Sequence, residues 1–249
     1  MARKIKLNQS NYYSDKANMQ YFSVSQYKDF MKCEAMALAK IFGNYKPEMT
    51  RAMLIGSFVD AYFEGTLEEF KKENPVVFTR KSELRSEFRK ANEIISRIKR
   101  DELFMKFMSG EKQRILAFEM FGVPWKMKMD SYLPGICITD LKIVANFQGL
   151  PYWRYDIQGA VYQKGVEIAV GERLPFYLAV GTKERMIDLD IFQVPQSTLD
   201  MALTEIEQNI GRFADVKAGR TDPAYCGKCD YCKSIKAARI RNYNELMEV

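Results

Sequence analysis

Asp130, Asp140 and Lys142 are the residues of this 249-residue chain whose types and spacing can do chemistry. They lie in WKMKMDSYLPGICITDLKIV, residues 125–144, on either side of Leu133-Pro134-Gly135. Pro and Gly are strong turn formers, so this stretch predicts a β-hairpin with its tip there. Period-two alternation puts Ile136, Ile138, Asp140, Lys142 and Val144 on one face. A hairpin centred on Gly135 sets Asp130 opposite Asp140, with Cβ atoms about 5 Å apart, where like charges repel. Two carboxylates held together on a half-apolar face need a cation between them. Oxygen ligands of this kind suit Mg²⁺ or Mn²⁺. A lysine beside such an ion offsets negative charge or handles a proton, which is the equipment of metal-assisted hydrolysis.

Other elements must hold that hairpin in place. The first half reads as helical. Ser25 is expected to cap a helix running to about Phe42 and ended by Gly43, and Thr50 a second that closes at Gly65. Further helices are predicted over 67–73, 82–100 and 102–108. From Arg114 the pattern changes to strands, over 114–120, 123–131 and 136–144. A helix then runs from about Pro151 to Val170, with proline in its first turn. Gln158 and Tyr162 lie four residues apart on it and share a face. Strands in PFYLAVGT and RMIDLDIFQV follow, then a long helix from Pro195 or Ser197, a cysteine-bearing loop and a terminal helix. This order predicts a single α/β unit with a mixed sheet. Its parts are a helical N-terminal layer (1–110), a core (111–217) and a small C-terminal cap (218–249).

The composition sets bounds. Hydrophobic residues make up 47% and aromatic residues 13%, enough for a packed core. No apolar run reaches the length of a membrane span. The basic start MARKIKLNQSNYY has no apolar stretch of the secretory kind, so a cytoplasmic protein is expected. The net charge is +6 and unevenly spread. Residues 80–100 hold eight Lys/Arg against three Glu, and residues 217–241 hold seven Lys/Arg against two Asp. Clusters of this sort are either solvated faces or contacts for a polyanion such as nucleic acid. The absence of histidine excludes Ser-His and Cys-His triads, His-ligated zinc catalysis and nucleases built on a histidine base.

The five cysteines form an odd set for a reducing compartment, which argues against a disulfide framework. Cys226, Cys229 and Cys232 make a C-x2-C-x2-C run, for which metal ligation is the first non-trivial reading. Cys33, far upstream, is the available fourth ligand. Zinc, an iron–sulfur cluster and simple packing of reduced thiols all remain open. Cys137 faces away from Asp140 and reads as a core residue.

Asp130 followed by Asp140-Leu141-Lys142 resembles the active-site pattern of the PD-(D/E)XK nuclease superfamily, without the proline before the first aspartate. Gln158 and Tyr162 resemble the Q-x3-Y helix of its RecB-like and RecE-like members. LIGSFVDAYFEG resembles their G-[ST]-x-x-H helix, with Asp60 in the place of the histidine. The closest likeness is to phage and prophage exonucleases of the RecE C-terminal and lambda-exonuclease type, over about residues 23–233. This resemblance implies a restriction-endonuclease-like core, and Asp130, Asp140 and the Leu141 carbonyl as ligands of Mg²⁺ or Mn²⁺. It adds Asp60 and Glu119 as further acidic ligands, and Lys142, Gln158 and Tyr162 as catalytic partners. Related nucleases with an iron–sulfur cluster join one N-terminal cysteine to a C-terminal trio, as Cys33 and Cys226, Cys229 and Cys232 would here. The activity implied is a 5′→3′ exonuclease on double-stranded DNA ends. Its products would serve a RecT-like single-strand annealing protein in phage-type recombination. A homo-oligomeric ring and, for a phage-encoded chain, the host bacterial cytoplasm are implied with it. The alternatives are a structure-specific or helicase-associated endonuclease of the same superfamily and an inactive DNA-binding module. No P-loop is present to support a helicase.

Overall fold

A computed structural model describes residues 4–240 and 242–246; Arg241 of the C-terminal basic run lies outside the described residues. Among the described residues seven α-helices precede the first strand: α1 (Asp15–Gln20), α2 (Val24–Lys32), α3 (Glu34–Ile41), α4 (Arg51–Glu64), α5 (Leu67–Glu73), α6 (Ser86–Lys99) and α7 (Glu102–Phe107). The strands are β1 (Arg114–Met120), β2 (Val123–Met129), β3 (Ser131–Leu133), β4 (Cys137–Val144), β5 (Phe176–Thr182) and β6 (Leu189–Gln193). Helix α8 (Tyr155–Val170) connects β4 to β5, and α9 (Gln196–Lys217) and α10 (Asp230–Ile235) follow β6.

The predicted first helix ends as expected at Phe42 and Gly43, but sequence and structure part company at its start and in its middle. Ser23, not Ser25, is the cap, its hydroxyl accepting from the Gln26 N–H. The helix also breaks at Cys33, whose extended backbone ends α2 and begins α3. The cause is a tertiary bond: the Ala35 N–H donates to the Ala224 carbonyl at 3.1 Å and turns away from a continuous helix. Thr50 and Gly65 do bound α4, with the glycine at φ +79° where a side chain would be strained. Strand β6 is shorter than RMIDLDIFQV suggests, because Asp188 and Thr182 exchange hydrogen bonds and draw the chain between them into a turn.

The sheet is mixed, in the order β3-β4-β5-β6, with β4 and β5 parallel and the outer pairs antiparallel. A β1–β2 hairpin feeds it, since β2 passes through Asp130 into β3. Parallel neighbours need a long crossover, which α8 supplies. The sheet separates two cores. One joins α2, α8 and α9 through Phe30, Trp125, Ile157 and Phe213; the other joins α4, α6 and α7 through Phe58, Phe88, Ile94 and Phe104. Each fully buried side chain of this size stabilises the fold by about 1.5–3 kcal/mol. Strand β4 serves both, giving Ile138 and Val144 to the first and Leu141 to the second. Helix α8 lies so close to the sheet that a Cβ on Gly159 would meet Phe176 at 2.6 Å and Leu199 at 2.7 Å.

Candidate active site and cysteine cap

Turn chemistry sets the site. The Ile136 N–H closes onto the Leu133 carbonyl at 3.0 Å with Gly135 at φ +68°, a four-residue turn with Pro134 in second place. Tyr132 pairs with Ile138 and Ser131 with Thr139, so the same register carries Asp130 to Asp140. Asp130 Oδ2 accepts the Leu141 N–H at 2.9 Å, and its Oδ1 accepts from Gln113 at 3.3 Å. Asp140 is only 2% exposed. Its Oδ1 accepts from Gln158 Nε2 at 2.7 Å, and its other oxygen lies against the Lys142 ammonium. Lys142 also donates to the Leu141 carbonyl at 3.2 Å and sits over the Tyr155 ring. Tyr162 donates its hydroxyl to the Lys128 carbonyl at 2.9 Å, two residues before Asp130.

Asp60 comes from α4. With Glu64, Asp130, Gln113 and Leu141 it lines a cavity of about 10 Å³, room for one ion or water. Asp60 and Glu64 are one helical turn apart, so the spacing of the two acids was the available signal for Glu64. Glu119 does not join them. It pairs with Pro124 at the turn end of the β1–β2 hairpin, is exposed, and bonds Lys4 at 3.3 Å. Six residues of strand, about 20 Å, separate Pro124 from Asp130. Strand pairing therefore removes Glu119 from the ligand set.

Electrostatics mark the cluster. Burial pushes the Asp140 carboxyl up to about 7; Asp130 adds to the rise and Lys142 opposes it. Burial likewise raises Asp60 well above the ordinary carboxylate range, with Asp130 and Asp140 reinforcing it, and raises Glu64. Burial alone would lower Lys142, but Asp140, Asp130 and Asp60 overcome it and raise its pKa.

The donor set fits a hard divalent cation on two counts. Gln113 Oε1 is buried at the cavity without a hydrogen bond, and the carboxylates of Asp60, Glu64 and Asp130 crowd around a space the size of an ion. Beside this cluster runs a cleft of about 260 Å³, which Gln158 and Tyr162 share with Lys28, Lys128 and Tyr13. Lys28 is drawn down to about 8 by burial and by Lys142. Sequence reasoning did not single out Lys28, Lys128 or Tyr155. Their partners lie on other elements, and no short motif marks them.

The four cysteines Cys33, Cys226, Cys229 and Cys232 come together at the C-terminal cap, all four sulfurs within 4.8 Å of one another. The neighbouring clamp is Glu34, which binds Arg212 at 2.7 and 2.8 Å and the Ala224 N–H at 2.7 Å. Cys137 lies apart, buried, with Thr139 beside it. Among the described residues no helix is long and apolar enough to cross a membrane.

Comparison with known proteins agrees with this arrangement. A crystal structure from Eubacterium rectale, described as a "Putative exonuclease", superposes with a TM-score of 0.94 at 44% identity, covering 97% of this chain and 98% of that one. The crystal structure of SSO0001 covers 86% of this chain and 98% of its own at 15% identity, with a TM-score of 0.35, too low to carry an argument. No curated protein matches the chain. A family profile described as a PDDEXK-like domain of unknown function matches residues 23–235. The chain, with its carboxylates and lysine on a mixed sheet, therefore belongs to the PDDEXK-like family and carries a nuclease fold of the PD-(D/E)XK superfamily.

Proposed function

We propose that this chain is a Mg²⁺- or Mn²⁺-dependent deoxyribonuclease that degrades double-stranded DNA from its ends in the 5′→3′ direction. One observation carries the reading. An ion-sized cavity is lined by the carboxylates of Asp60, Glu64 and Asp130, and Gln158, which holds the neighbouring Asp140, also lines a lysine-bearing cleft. Asp130, Asp140 and the Leu141 carbonyl would hold the cation, with Asp60 and Glu64 on the α4 side. The chemistry such a cation would supply there is charge neutralisation at the scissile phosphate and a lowered pKa for the attacking water. Gln158 fixes the rotamer of Asp140 through its hydrogen bond. Lys142, held against Asp140 beside the cation site, would orient or deprotonate the attacking water and offset negative charge. Lys28 and Lys128 would take backbone phosphates without reading sequence. Direction, preference for ends, a ring-shaped homo-oligomer, a RecT-like annealing partner and a cytoplasmic setting all follow from the resemblance to phage exonucleases.

The test is digestion of linear and covalently closed circular duplex DNA with Mg²⁺, Mn²⁺ or EDTA, alongside Asp140→Ala. Metal-dependent loss of linear DNA alone, abolished by the substitution, supports the proposal, and 5′- against 3′-labelled ends report direction. Cleavage of the circle makes the enzyme an endonuclease. No digestion with either metal leaves a DNA-binding module.

A further inference from the structure

Four cysteines meet at the C-terminal cap for which the nuclease chemistry has no use. Cys33 arrives from the break between α2 and α3, Cys226 and Cys229 from the loop after α9, and Cys232 from α10. Cys33 Sγ lies 3.6 Å from Cys232 Sγ, and Cys226 Sγ lies 3.9 Å from Cys232 Sγ. No pair of the four exceeds 4.8 Å. These spacings are informative because the two metal groups that take four thiolates differ in size. Around one zinc ion, with Zn–S bonds of about 2.3 Å, the edges of the sulfur tetrahedron are about 3.8 Å. A four-iron cubane places iron and sulfide between its cysteines and holds their sulfurs about 6 Å apart. The observed distances match the single ion and leave no room for a cubane. We infer that Cys33, Cys226, Cys229 and Cys232 form a structural site for one tetrahedrally coordinated zinc ion.

The backbone is arranged for such a site. Gly227, at φ +72°, lets the chain turn so that the Cys229 N–H points at Cys226 Sγ, at 3.3 Å. One step on, the Cys232 N–H points at Cys229 Sγ, at 3.4 Å, because Cys229 is the N-cap of α10. Backbone donors of this kind orient the thiolates and share their negative charge. All four positions belong to sulfur, so the site is closed and has no open place for a substrate, as a structural zinc site requires. The ion would tie the break between α2 and α3 to a segment about 200 residues later. Lys28, on α2, lies five residues before Cys33 and lines the cleft beside the carboxylates. Loading the cap therefore fixes one wall of that cleft.

The experiment uses the full chain, purified without air, and its readouts are metal content and metal spectra, so failure of the nuclease reading would leave it intact. The expected result is one zinc per chain, no iron, and a zinc X-ray absorption edge fitted by four sulfurs. Co²⁺ exchanged for zinc should give the visible bands of a tetrahedral thiolate complex. Cys226→Ser, at a half-buried position, should weaken zinc binding at least tenfold, whereas Cys137→Ser keeps the metal and serves as the folding control. Iron with inorganic sulfide and a broad absorption in the visible would overturn the inference in favour of a cluster. So would a chain that takes up neither Zn²⁺ nor Co²⁺, or a Cys226→Ser protein that binds zinc as tightly as the parent.

Discussion

The carboxylate cluster makes the stability of this protein depend on pH in an unusual direction. The Asp140 carboxyl has an ordinary value of 3.8 and rises to about 7 in the fold, chiefly through burial. Between those values the folded protein holds a proton that the unfolded chain has released. Asp140 therefore contributes stability that is complete below the unfolded value and is lost as pH climbs through about 7. A rise of about 3 pH units corresponds to about 4 kcal/mol at most, of which about 2 kcal/mol falls between about pH 5 and pH 7. Asp60 and Glu64 are raised too and act in the same direction. In a chain of this size 1 kcal/mol moves the melting temperature by about 2–4 °C, so the expected fall over that interval is about 4–8 °C. One other group titrates inside this window: the Cys226 thiol, drawn down to about 6 by the Lys228 and Cys229 backbone N–H groups, works against the slope above that value, so the melts are run on Cys226→Ser as well. Glu34 feels burial, but its bonds to Arg212 and Ala224 outweigh it and lower its pKa, so its contribution changes below 4.5. Lys28, Lys126 and Lys217, lowered mainly by burial to about 8, 8 and 7, act with opposite sign chiefly above pH 7. Thermal unfolding in EDTA, followed by circular dichroism across this range, reads the slope directly. Saturating Mg²⁺ should abolish most of it, since ion binding to the folded state at a hundred times its dissociation constant returns about 2.7 kcal/mol. A melting temperature that is flat or rising from pH 5 to 7 in EDTA, and unmoved by Mg²⁺, would refute the account of the site.

Four further outcomes follow from the same geometry. Lys28 should lose its charge above about pH 8, so DNA affinity in Ca²⁺ falls between pH 7 and 9 by fluorescence anisotropy, and Lys28→Arg makes the profile flat. Gln158→Leu, which frees Asp140 Oδ1, should raise the Mg²⁺ concentration for half-maximal cleavage by about 10–100-fold with little change in the fold. Gly159→Ala should destabilise by about 1–3 kcal/mol in urea melts, because its Cβ would press on Phe176 and Leu199. Gly56→Ala, in open space on α4, should instead stabilise by about 0.5–1 kcal/mol.

The parts of the fold legible in sequence are those decided by neighbours in the chain. Leu133-Pro134-Gly135 fixes the hairpin and with it the meeting of Asp130 and Asp140, while Thr50 and Gly65 bound α4 through local caps. What escaped was decided across the fold. The break at Cys33 answers to Ala224, nearly 200 residues away, so periodicity alone ran α2 and α3 together. Glu64 reads as a solvated acid until α4 is laid over β4, and Glu119 reads as a ligand until the pairing of β1 with β2 carries it to the wrong end. Lys126, 1% exposed and bonded to the Tyr12 carbonyl and Asn18, shows the same limit: nothing local marks it as buried.

The cysteine cap also bears on how the chain folds. Cys33 and Cys232 are 199 positions apart, so the cap closes nearly the whole chain into one loop. A cross-link over such a span withdraws about 5 kcal/mol of freedom from the unfolded ensemble. The hairpin that carries both aspartates, by contrast, closes over ten residues and can form early. During synthesis the two carboxylates can meet long before α2 is locked against the cap, and Lys28 takes its final place only after Cys232 has emerged. Assembly of that wall of the cleft therefore waits for the cap segment, whereas the aspartate hairpin does not.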